Sequence, residues 1–435
     1  MVAFLVFGIT LSAAIVVFFG AQSLIADMEL WRGGMIAGKN ALEQARQASR
    51  TDFFSVAPFA TTSGPYLIQA SADSVDQFTK KIAAEVSWSN SARRLQKISL
   101  SSLIACAPSM TGNWRQPRAF GAIDIGAGEQ ATDVFVRGST AYLSANSSTT
   151  AQGDFFVVDA SDRQNPKVLS SLNTGPGIMA ISVQGNYAYA ANSSVTAQLQ
   201  VIDIHDPLAP FLAKAYKLPG SYKDSGPIGK SIFVDGARAY LGTQKNSVPE
   251  FHVIDVSDPL NPSERGTWKA ATAINKIVAT GTLAYLATPD PLEELKILDV
   301  GDLQAIREIG SFNAAGSTEA KSLFLTGKAL YMGREVGGND VWKLDASMPQ
   351  AVRAIWSSKA GTSVNGLAVQ NNLAFAATIK DGSQLEVLNA CGFATTTPWG
   401  FVALPDRAVA VTFLDGAAYV AIQSREGLKI ILPGS

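Results

Sequence analysis

The 435-residue sequence is poor in charge, in histidine and in cysteine. Charged residues make up 16% of it and the formal net charge is −1, so it lacks the basic surface with which proteins bind nucleic acid. The two histidines, His205 and His252, have no cysteine cluster or H-x-x-H spacing around them, which argues against a metal site. A phosphate-binding glycine loop and a nucleophilic serine elbow are also missing. The sequence therefore predicts a non-enzymatic protein with no catalytic residue, no cofactor, no bound metal and no nucleic-acid partner.

One phrase recurs seven times between Ala131 and the C-terminus. Each copy has an apolar run, a turn, an aromatic residue and a second apolar run, which ends at an acid in five of the copies. The aromatic residues are Tyr142, Tyr189, Tyr240, Tyr285, Tyr331, Phe375 and Tyr419. A period in the forties with several short strands per unit is typical of a β-propeller. The sequence therefore predicts a mainly β fold whose general role is to present a binding surface.

The turn before the aromatic residue begins with glycine in five of the repeats. These glycines are Gly138, Gly185, Gly236, Gly281 and Gly327, and the two weaker copies begin at Asn371 and Asp415. Glycine and asparagine are the residues that a tight hairpin turn with positive φ requires. The flanking runs are short and rich in Val, Ile and Tyr, which is typical of strands rather than helices.

The seventh repeat is incomplete, because the chain stops at Ser435 before an outer strand can form. Upstream, the segment 117–124 resembles the outer strand of the first repeat, residues 166–172. We therefore expect residues 117–125 to close the last blade of a seven-bladed ring, since six or eight blades would leave an orphan strand. Closure of this kind removes an exposed sheet edge and joins the two ends of the ring.

Acids recur where the third strand of a repeat ends, at Asp159, Asp203, Asp255, Asp299 and Asp345. They could form a ring of metal-binding carboxylates, or each could cap a turn through its own backbone. Because a true site is local and these acids recur from repeat to repeat, the sequence favours turn caps. The acids Asp290, Glu293 and Glu294 are similarly interpreted as a solvated loop rather than an acid–base pair.

Two repeats resemble a known family of propeller repeats. The phrases VIDIHDPLAP, residues 201–210, and VIDVSDPLNP, residues 253–262, are similar to the bacterial LVIVD-type repeat. That family is mostly extracytoplasmic and its activities are poorly assigned. The resemblance therefore implies a propeller fold and an extracytoplasmic location more than it implies an activity.

The chain begins with an apolar segment that has no charged residue before Asp27. Twenty-four helical residues span about 36 Å, enough for a hydrocarbon core of roughly 30 Å. Good helix formers continue beyond it, so we expect one helix over residues 1–50 with an apolar anchor at about 2–25. The side chains assigned to anchoring and assembly are Phe4, Leu5, Phe7, Leu11, Ile15, Val16, Phe18, Phe19 and Leu24. A cleavable secretory signal is the competing interpretation, but no Lys or Arg precedes the apolar run.

Residues 1–104 resemble the N-terminal part of type IV pilins and pseudopilins. The resemblance rests on a helix over residues 40–48, the pair Asp52-Phe53, and strand-like segments that include 78–82, 86–88 and 98–102. It implies a membrane-anchored stage followed by assembly with copies of the chain or with other pilin-like subunits. Ala13 stands where that family usually has a glutamate, which leaves a tip or minor subunit, or a plain membrane anchor, as compatible roles.

The sequence thus divides into four parts: a helix at 1–50, a small β-rich pilin-like module at 51–104, a linker at 105–116 and the propeller at 117–435. Cys106 lies in the linker and Cys391 follows the third strand of the sixth repeat. Since the linker must approach blade seven on the face where that strand ends, we expect a Cys106–Cys391 disulfide. Two unpaired thiols are the alternative.

Two functions follow from these features. The first is a pilin-like filament subunit at the cell surface, which presents the propeller for adhesion or for binding an unidentified carbohydrate or protein. The second is a membrane-tethered extracytoplasmic enzyme, a hydrolase or lyase, or a receptor that forms no filament. An enzyme would need converging carboxylates at the mouth of the central channel. The sequence offers a mixed set there: Asp133, Lys230 and Lys276.

Overall fold

The computed structural model describes residues 2–51, 53, 56–75, 79–90, 93–105, 110–147, 152–220, 226–391 and 398–434. Of residues 2–24 it describes the backbone alone. The chain forms two compact units, Met1–Ala107 and Pro108–Ser435. The division between them lies inside the linker expected at 105–116.

The first unit contains one helix and one antiparallel sheet. Its elements are α1 Val2–Thr51, β1 Phe59–Ser63, β2 Tyr66–Ser74, β3 Thr79–Ser89 and β4 Leu95–Ala105. The strands follow one another in the order β1-β2-β3-β4. Alternate residues of β3, Ile82, Ala84, Val86 and Trp88, are buried, as expected for a strand with one face covered.

Small residues allow α1 to lie close to this sheet. A Cβ atom added at Gly34 would lie 2.8 Å from the ring of Trp88, and one added at Gly38 would lie 2.5 Å from a methyl group of Leu100. Ala41 is buried in the same apolar cluster. A larger side chain at either glycine would push the helix away from the sheet.

The apolar anchor remains a prediction, because the nine side chains assigned to it, from Phe4 to Leu24, lie outside the described residues. In the part of the chain whose side chains the structure describes, no helical segment has both the length and the apolarity to cross a membrane. Farther along α1, large apolar side chains are at least half exposed. They are Ile25, Met28, Trp31 and Ile36.

The second unit consists of seven four-stranded antiparallel sheets. The first three blades are β6 Glu129–Arg137, β7 Thr140–Ser147, β8 Phe155–Asp159 and β9 Lys167–Leu172; β10 Ile178–Gln184, β11 Tyr187–Asn192, β12 Leu199–Asp203 and β13 Phe211–Tyr216; β14 Gly229–Asp235, β15 Arg238–Thr243, β16 Phe251–Asp255 and β17 Ser263–Trp268. The next three are β18 Lys276–Thr280, β19 Leu283–Ala287, β20 Leu295–Asp299 and β21 Arg307–Phe312; β22 Ala320–Thr326, β23 Ala329–Arg334, β24 Val341–Asp345 and β25 Arg353–Ser358, with a 3-10 turn at Pro349–Ala351; β26 Val364–Gln370, β27 Leu373–Thr378, β28 Leu385–Asn389 and β29 Gly400–Val402. The last blade is β30 Ala408–Leu414, β31 Ala417–Ile422, β32 Leu428–Gly434 and β5 Asn113–Ile123.

The first strands of the seven sheets contact one another in chain order, and β30 returns to contact β6. The second unit is therefore a closed ring with the first strand of each blade innermost. The prediction of a mainly β propeller is confirmed. Apolar clusters lie between neighbouring blades, so most inner and middle strands are buried on both faces.

Strand β5 is the outer strand of the last blade, the role assigned to residues 117–125. It pairs antiparallel with β32, with Ile123 opposite Leu428 and Arg118 opposite Leu432. The strand begins earlier than expected, at Asn113, because a register shift lets Asn113 pair with Gly434. Strands from the two ends of the propeller sequence thus form one sheet.

The five turn glycines have nearly identical backbone conformations. Gly138, Gly185, Gly236, Gly281 and Gly327 all have φ of 57–58°. Asn371 and Asp415, which begin the two weaker copies, also have positive φ, at 47° and 49°. Each turn joins the first strand of a blade to the second.

A buried hydrogen-bond acceptor precedes the third strand in six blades. The six side chains are Asp154, Gln198, Glu250, Glu294, Asp340 and Gln384, and each is at most 6% exposed. Each accepts a backbone N–H from the segment that follows the outer strand of its own blade, at 2.7–3.1 Å. We call these six side chains the buried acceptors. Both acids and amides occupy this position, so what the six blades require there is a side-chain oxygen that accepts the hydrogen bond.

The buried acceptor of the first blade makes stability depend on pH. Burial raises the pKa of Asp154 from 3.8 to about 6, so between those values the folded state binds more protons than the unfolded state. The free energy of unfolding therefore falls by up to about 3 kcal/mol as pH rises from 3.8 to about 6. Asp154→Asn keeps an acceptor for the Thr174 N–H, and we expect it to flatten the pH profile and to raise the free energy of unfolding above pH 6.

Urea unfolding of the two proteins between pH 4 and pH 8 measures this effect. Asp162→Asn is the control in the same blade, because hydrogen bonds from Asn165 and Gln164 lower the pKa of this exposed carboxyl. Its effect on pH dependence should have the opposite sign. A profile for Asp154→Asn that is parallel to the wild-type profile would refute the assignment.

Candidate functional site

The innermost strands carry one irregular residue in each blade, and these residues meet at the centre of the ring. Register shifts in six of the inner strands leave one residue without a partner. Those residues are Thr132, Met179, Lys230, Lys321, Asn365 and Val409, and Asn275 takes the corresponding place just before β18. All seven line one cavity of about 100 Å³. Bulges redirect side chains in this way and are common beside binding sites.

The polar residues of this ring are concentrated on one side. Four consecutive blades contribute Lys230, Asn275, Lys321 and Asn365, which we call the channel arc. The remaining blades contribute Val409, Thr132 and Met179. If these side chains only filled the centre of the ring, the polar ones would not need to lie on one side of it. The channel arc is therefore the best candidate for a binding site.

Hydrogen bonds between neighbouring blades hold the channel arc in place. Lys230 Nζ donates to Asn275 Oδ1 at 2.5 Å, and Asn275 Nδ2 donates to the Ala320 carbonyl at 2.6 Å. Asn365 Nδ2 donates to the Ala408 carbonyl at 3.3 Å. The two amides are therefore oriented by the next inner strand, whereas the lysine ammonium groups keep further donors available.

Carboxylates lie beside two of the three lysines that line the channel. Asp133 lies 3.6 Å from Lys276 and accepts the Ile181 N–H at 3.2 Å. Lys321 lies 2.6 Å from Glu319. Around Lys230, no carboxylate lies within ion-pair distance among the described residues. Burial, and then the charge of Lys321, lowers the pKa of Lys230, while Glu319 opposes this shift.

The structure thus brings together the three channel residues suggested by the sequence, Asp133, Lys230 and Lys276. It adds Lys321 and the two asparagines of the channel arc, which were missed. The repeats contain a signal for Lys321, because Lys321-Ser-Leu-Phe aligns with Lys230-Ser-Ile-Phe. The converging acids that a hydrolase or lyase would need are not found here, since Asp133 is the one acid among the described residues that line this cavity.

The five aspartates at the ends of the third strands cap turns. Each Oδ1 accepts the backbone N–H of the residue two places later, at 2.9–3.0 Å, from Ser161, His205, Ser257, Gly301 and Ser347. Asn389 does the same for Cys391 in the sixth blade. Hydrogen bonds from Ser257, followed by that from Arg265, lower the pKa of Asp255 to about 2. Within the described residues, no group of three or more His, Cys, Asp or Glu side chains could hold a metal ion.

The two histidines each contact a carboxylate but do not approach the channel. His205 is exposed, and its Nδ1 lies 2.8 Å from Asp203. His252 is buried in β16, with Nδ1 2.7 Å from Glu264 and Nε2 3.0 Å from the Pro249 carbonyl. These contacts hold both rings within their own blade.

The interpretation of Glu294 as part of a solvated loop is wrong. Its side chain is fully buried, and Arg334 Nε donates to Glu294 Oε1 at 2.7 Å. Asp290 and Glu293 are partly exposed beside Lys296. Sequence reasoning missed Glu294 because its partner lies in the next blade, on β23.

Of the two cysteines in the predicted disulfide, Cys391 lies in the described part of the chain and Cys106 does not. Cys391 is fully buried, and the described residues contain no free cysteine. Cys106 lies outside the described residues, so the pairing stays a prediction. Counting thiols on the denatured, unreduced protein tests it: we expect none to react, and two reactive thiols would refute it.

Comparisons with known proteins agree with the ring. The LVIVD repeat matches residues 178–217 and 228–269, which are most of the second and third blades. An uncharacterized protein of Methanocaldococcus jannaschii is 28% identical over 116 residues, which are 27% of this chain and 18% of that protein. The chain thus spans less than a fifth of the length of this curated relative.

Two solved structures share the architecture at low sequence identity. A protein from Lactobacillus plantarum matches with a TM-score of 0.53 and 15% identity, over 80% of this chain and 99% of that one. The WD40 β-propeller domain of Doa1 matches with a TM-score of 0.52 and 10% identity, over 72% of this chain and 96% of that one. At these identities the likeness shows the fold alone, and that fold is a β-propeller.

Proposed function

We propose that this chain is a non-enzymatic binding protein of the cell surface, assembled through its N-terminal helix and presenting the propeller to a partner. In this proposal residues 1–104 act as a type IV pilin-like module, and the helix packs against copies of itself or other pilin-like subunits. The propeller would bind a carbohydrate or a protein. A membrane-anchored stage would precede assembly.

The observation that carries the proposal is the exposed apolar surface of α1. Ile25, Met28, Trp31 and Ile36 are 50–65% exposed, although they belong to the same helix whose glycine and alanine positions face the sheet. Isolated exposed apolar residues are ordinary, but four on one helix within twelve positions form a surface that gains free energy when another helix covers it. The uncharged sequence before Asp27 would extend that surface.

Cryo-electron microscopy of filaments sheared from cells that produce the full chain tests this proposal. We expect a core of packed N-terminal helices decorated with propellers. Replacing both Met28 and Trp31 by serine should abolish the filaments, whereas Leu292→Ser, which changes a 75% exposed side chain of the propeller, should not.

Deletion of Val2–Ile25 should yield a soluble monomer. Normal filament assembly by that deletion would overturn the pilin-like role. Protein found only in the membrane fraction, without filaments, would instead support the tethered receptor or enzyme.

A further inference from the structure

We propose that the channel arc binds one small oxyanion group, a carboxylate or a phosphate, in the central cavity of the propeller. The inference gives a ligand chemistry to the binding protein proposed above. It concerns the ring alone, so it can be tested whether or not the chain forms filaments.

The donors of the channel arc lie on neighbouring blades of the ring. Lys230 and Lys321 occupy bulge positions of the third and fifth blades, and Asn275 lies between them at the corresponding place in the fourth. Because a bulge costs ladder hydrogen bonds, its repetition in the inner strands is a feature of the fold. The occupants, however, differ from blade to blade, and cationic side chains occur in two of the four positions of the channel arc.

Among the described residues, Lys230 is the channel lysine that has no carboxylate within ion-pair distance. Three lysines line the cavity, together with Asp133. Asp133 is engaged by Lys276, and Lys321 is engaged by Glu319 with Glu335 4.0 Å away. For Lys230 the hydrogen-bond partner found is the neutral Asn275. A half-buried ammonium group whose partner within the described part of the chain is a neutral amide favours an anion beside it.

Lys230 and Lys321 are close enough for their positive charges to repel each other. Burial and the proximity of Lys321 both lower the pKa of Lys230. The negative charge of an oxyanion between the two ammonium groups would counteract the effect of Lys321 and offset the effect of burial. Lys276 and Asp133 also line this space, and Glu319 and Glu335 lie beside Lys321. Bound anion should therefore raise the pKa of Lys230.

The central cavity has room for the proposed ligand. Its volume is about 100 Å³, and it is lined by the channel arc together with Lys276 and Asp133. A single carboxylate or phosphate group fits this space. A larger partner would place an anionic group of its own beside the channel arc.

Isothermal titration calorimetry of the full-length protein with inorganic phosphate and with acetate tests the proposal. We expect at least one of them to bind, more weakly at high salt because screening reduces the attraction. Lys230→Gln and Lys321→Gln should each raise Kd about tenfold or more, the loss of one charge-assisted hydrogen bond. Lys328→Gln, a change of an exposed lysine outside the cavity, should leave Kd unchanged.

The two anions distinguish the possible ligand groups. Binding of phosphate alone assigns a phosphate group, and binding of acetate alone assigns a carboxylate. Thermal unfolding of each variant checks that the ring is intact, and Lys321→Gln provides the test if Lys230→Gln does not fold. Absence of heat with both anions, or equal affinities of wild type and the two channel variants, would overturn the proposal and leave the filament experiment unaffected.

Discussion

Replacing Glu294 by alanine is expected to lower the free energy of unfolding by about 3–5 kcal/mol, because it leaves a buried guanidinium without its counter-charge. Glu294 and Arg334 are both fully buried and lie 2.7 Å apart. The glutamate also accepts the Ala314 N–H at 3.1 Å and the Thr318 hydroxyl at 2.9 Å. One substitution therefore removes an ion pair between the fourth and fifth blades and the buried acceptor of the fourth. Urea unfolding followed by tryptophan fluorescence measures the change.

Two further variants serve as comparisons for Glu294→Ala. Arg425→Ala breaks an exposed ion pair of the same propeller, with Asp124, and should cost less than about 1 kcal/mol. The double variant Glu294→Gln with Arg334→Met keeps an acceptor and removes the buried charge, so it should be more stable than Glu294→Ala. If Glu294→Ala is no less stable than Arg425→Ala, the buried pair does not hold the two blades together.

Replacing Trp114 by alanine is expected to cost about 3–5 kcal/mol, the usual loss for a large buried aromatic side chain. Trp114 lies on the closing strand β5 and is 2% exposed. Its ring meets Phe375 of the sixth blade at 4.8 Å and Phe413 of the last blade at 5.6 Å between centroids, both edge to face. The substitution therefore leaves a cavity where the closing strand joins two blades. We expect one cooperative transition at a lower urea concentration.

Phe120→Ala is the matched control, because Phe120 lies on the same strand and is 43% exposed. It should change stability by no more than about 0.5 kcal/mol. Trp114→Phe should also be mild, since the indole N–H is buried without a hydrogen-bond partner among the described residues and phenylalanine removes it. Equal losses for Trp114→Ala and Phe120→Ala would contradict the closing role of β5.

The repeat allowed the blades, their turns and the position of the closing strand to be predicted without the structure. These features depend on local patterns: short β-branched runs, a residue with positive φ at each turn and an aromatic residue in the second strand. Gly185 and Asn371 can be recognised as turn residues because the backbone requirement lies in a few neighbouring residues. The aspartate turn caps, such as Asp159, are local for the same reason.

The buried acceptors were not predicted, although their position recurs. Asp154, Gln198 and Glu250 differ in length and charge, and each finds its donor about twenty residues later in the chain. Single-sequence reasoning treats a polar residue beside a strand as solvated, which is the usual outcome. In this fold the segment that follows the outer strand returns to cover it.

By itself, the sequence determined the repeat, the number of blades, the mainly β class and the segment that closes the ring, because each depends on periodicity and on local backbone chemistry. The tertiary structure alone decided which polar residues meet. Lys230 and Lys321 are brought to one cavity by bulges two blades apart, and Glu294 meets Arg334 across a blade interface. Such contacts depend on how the blades stack around the ring, and stacking is a property of the closed assembly rather than of any one repeat.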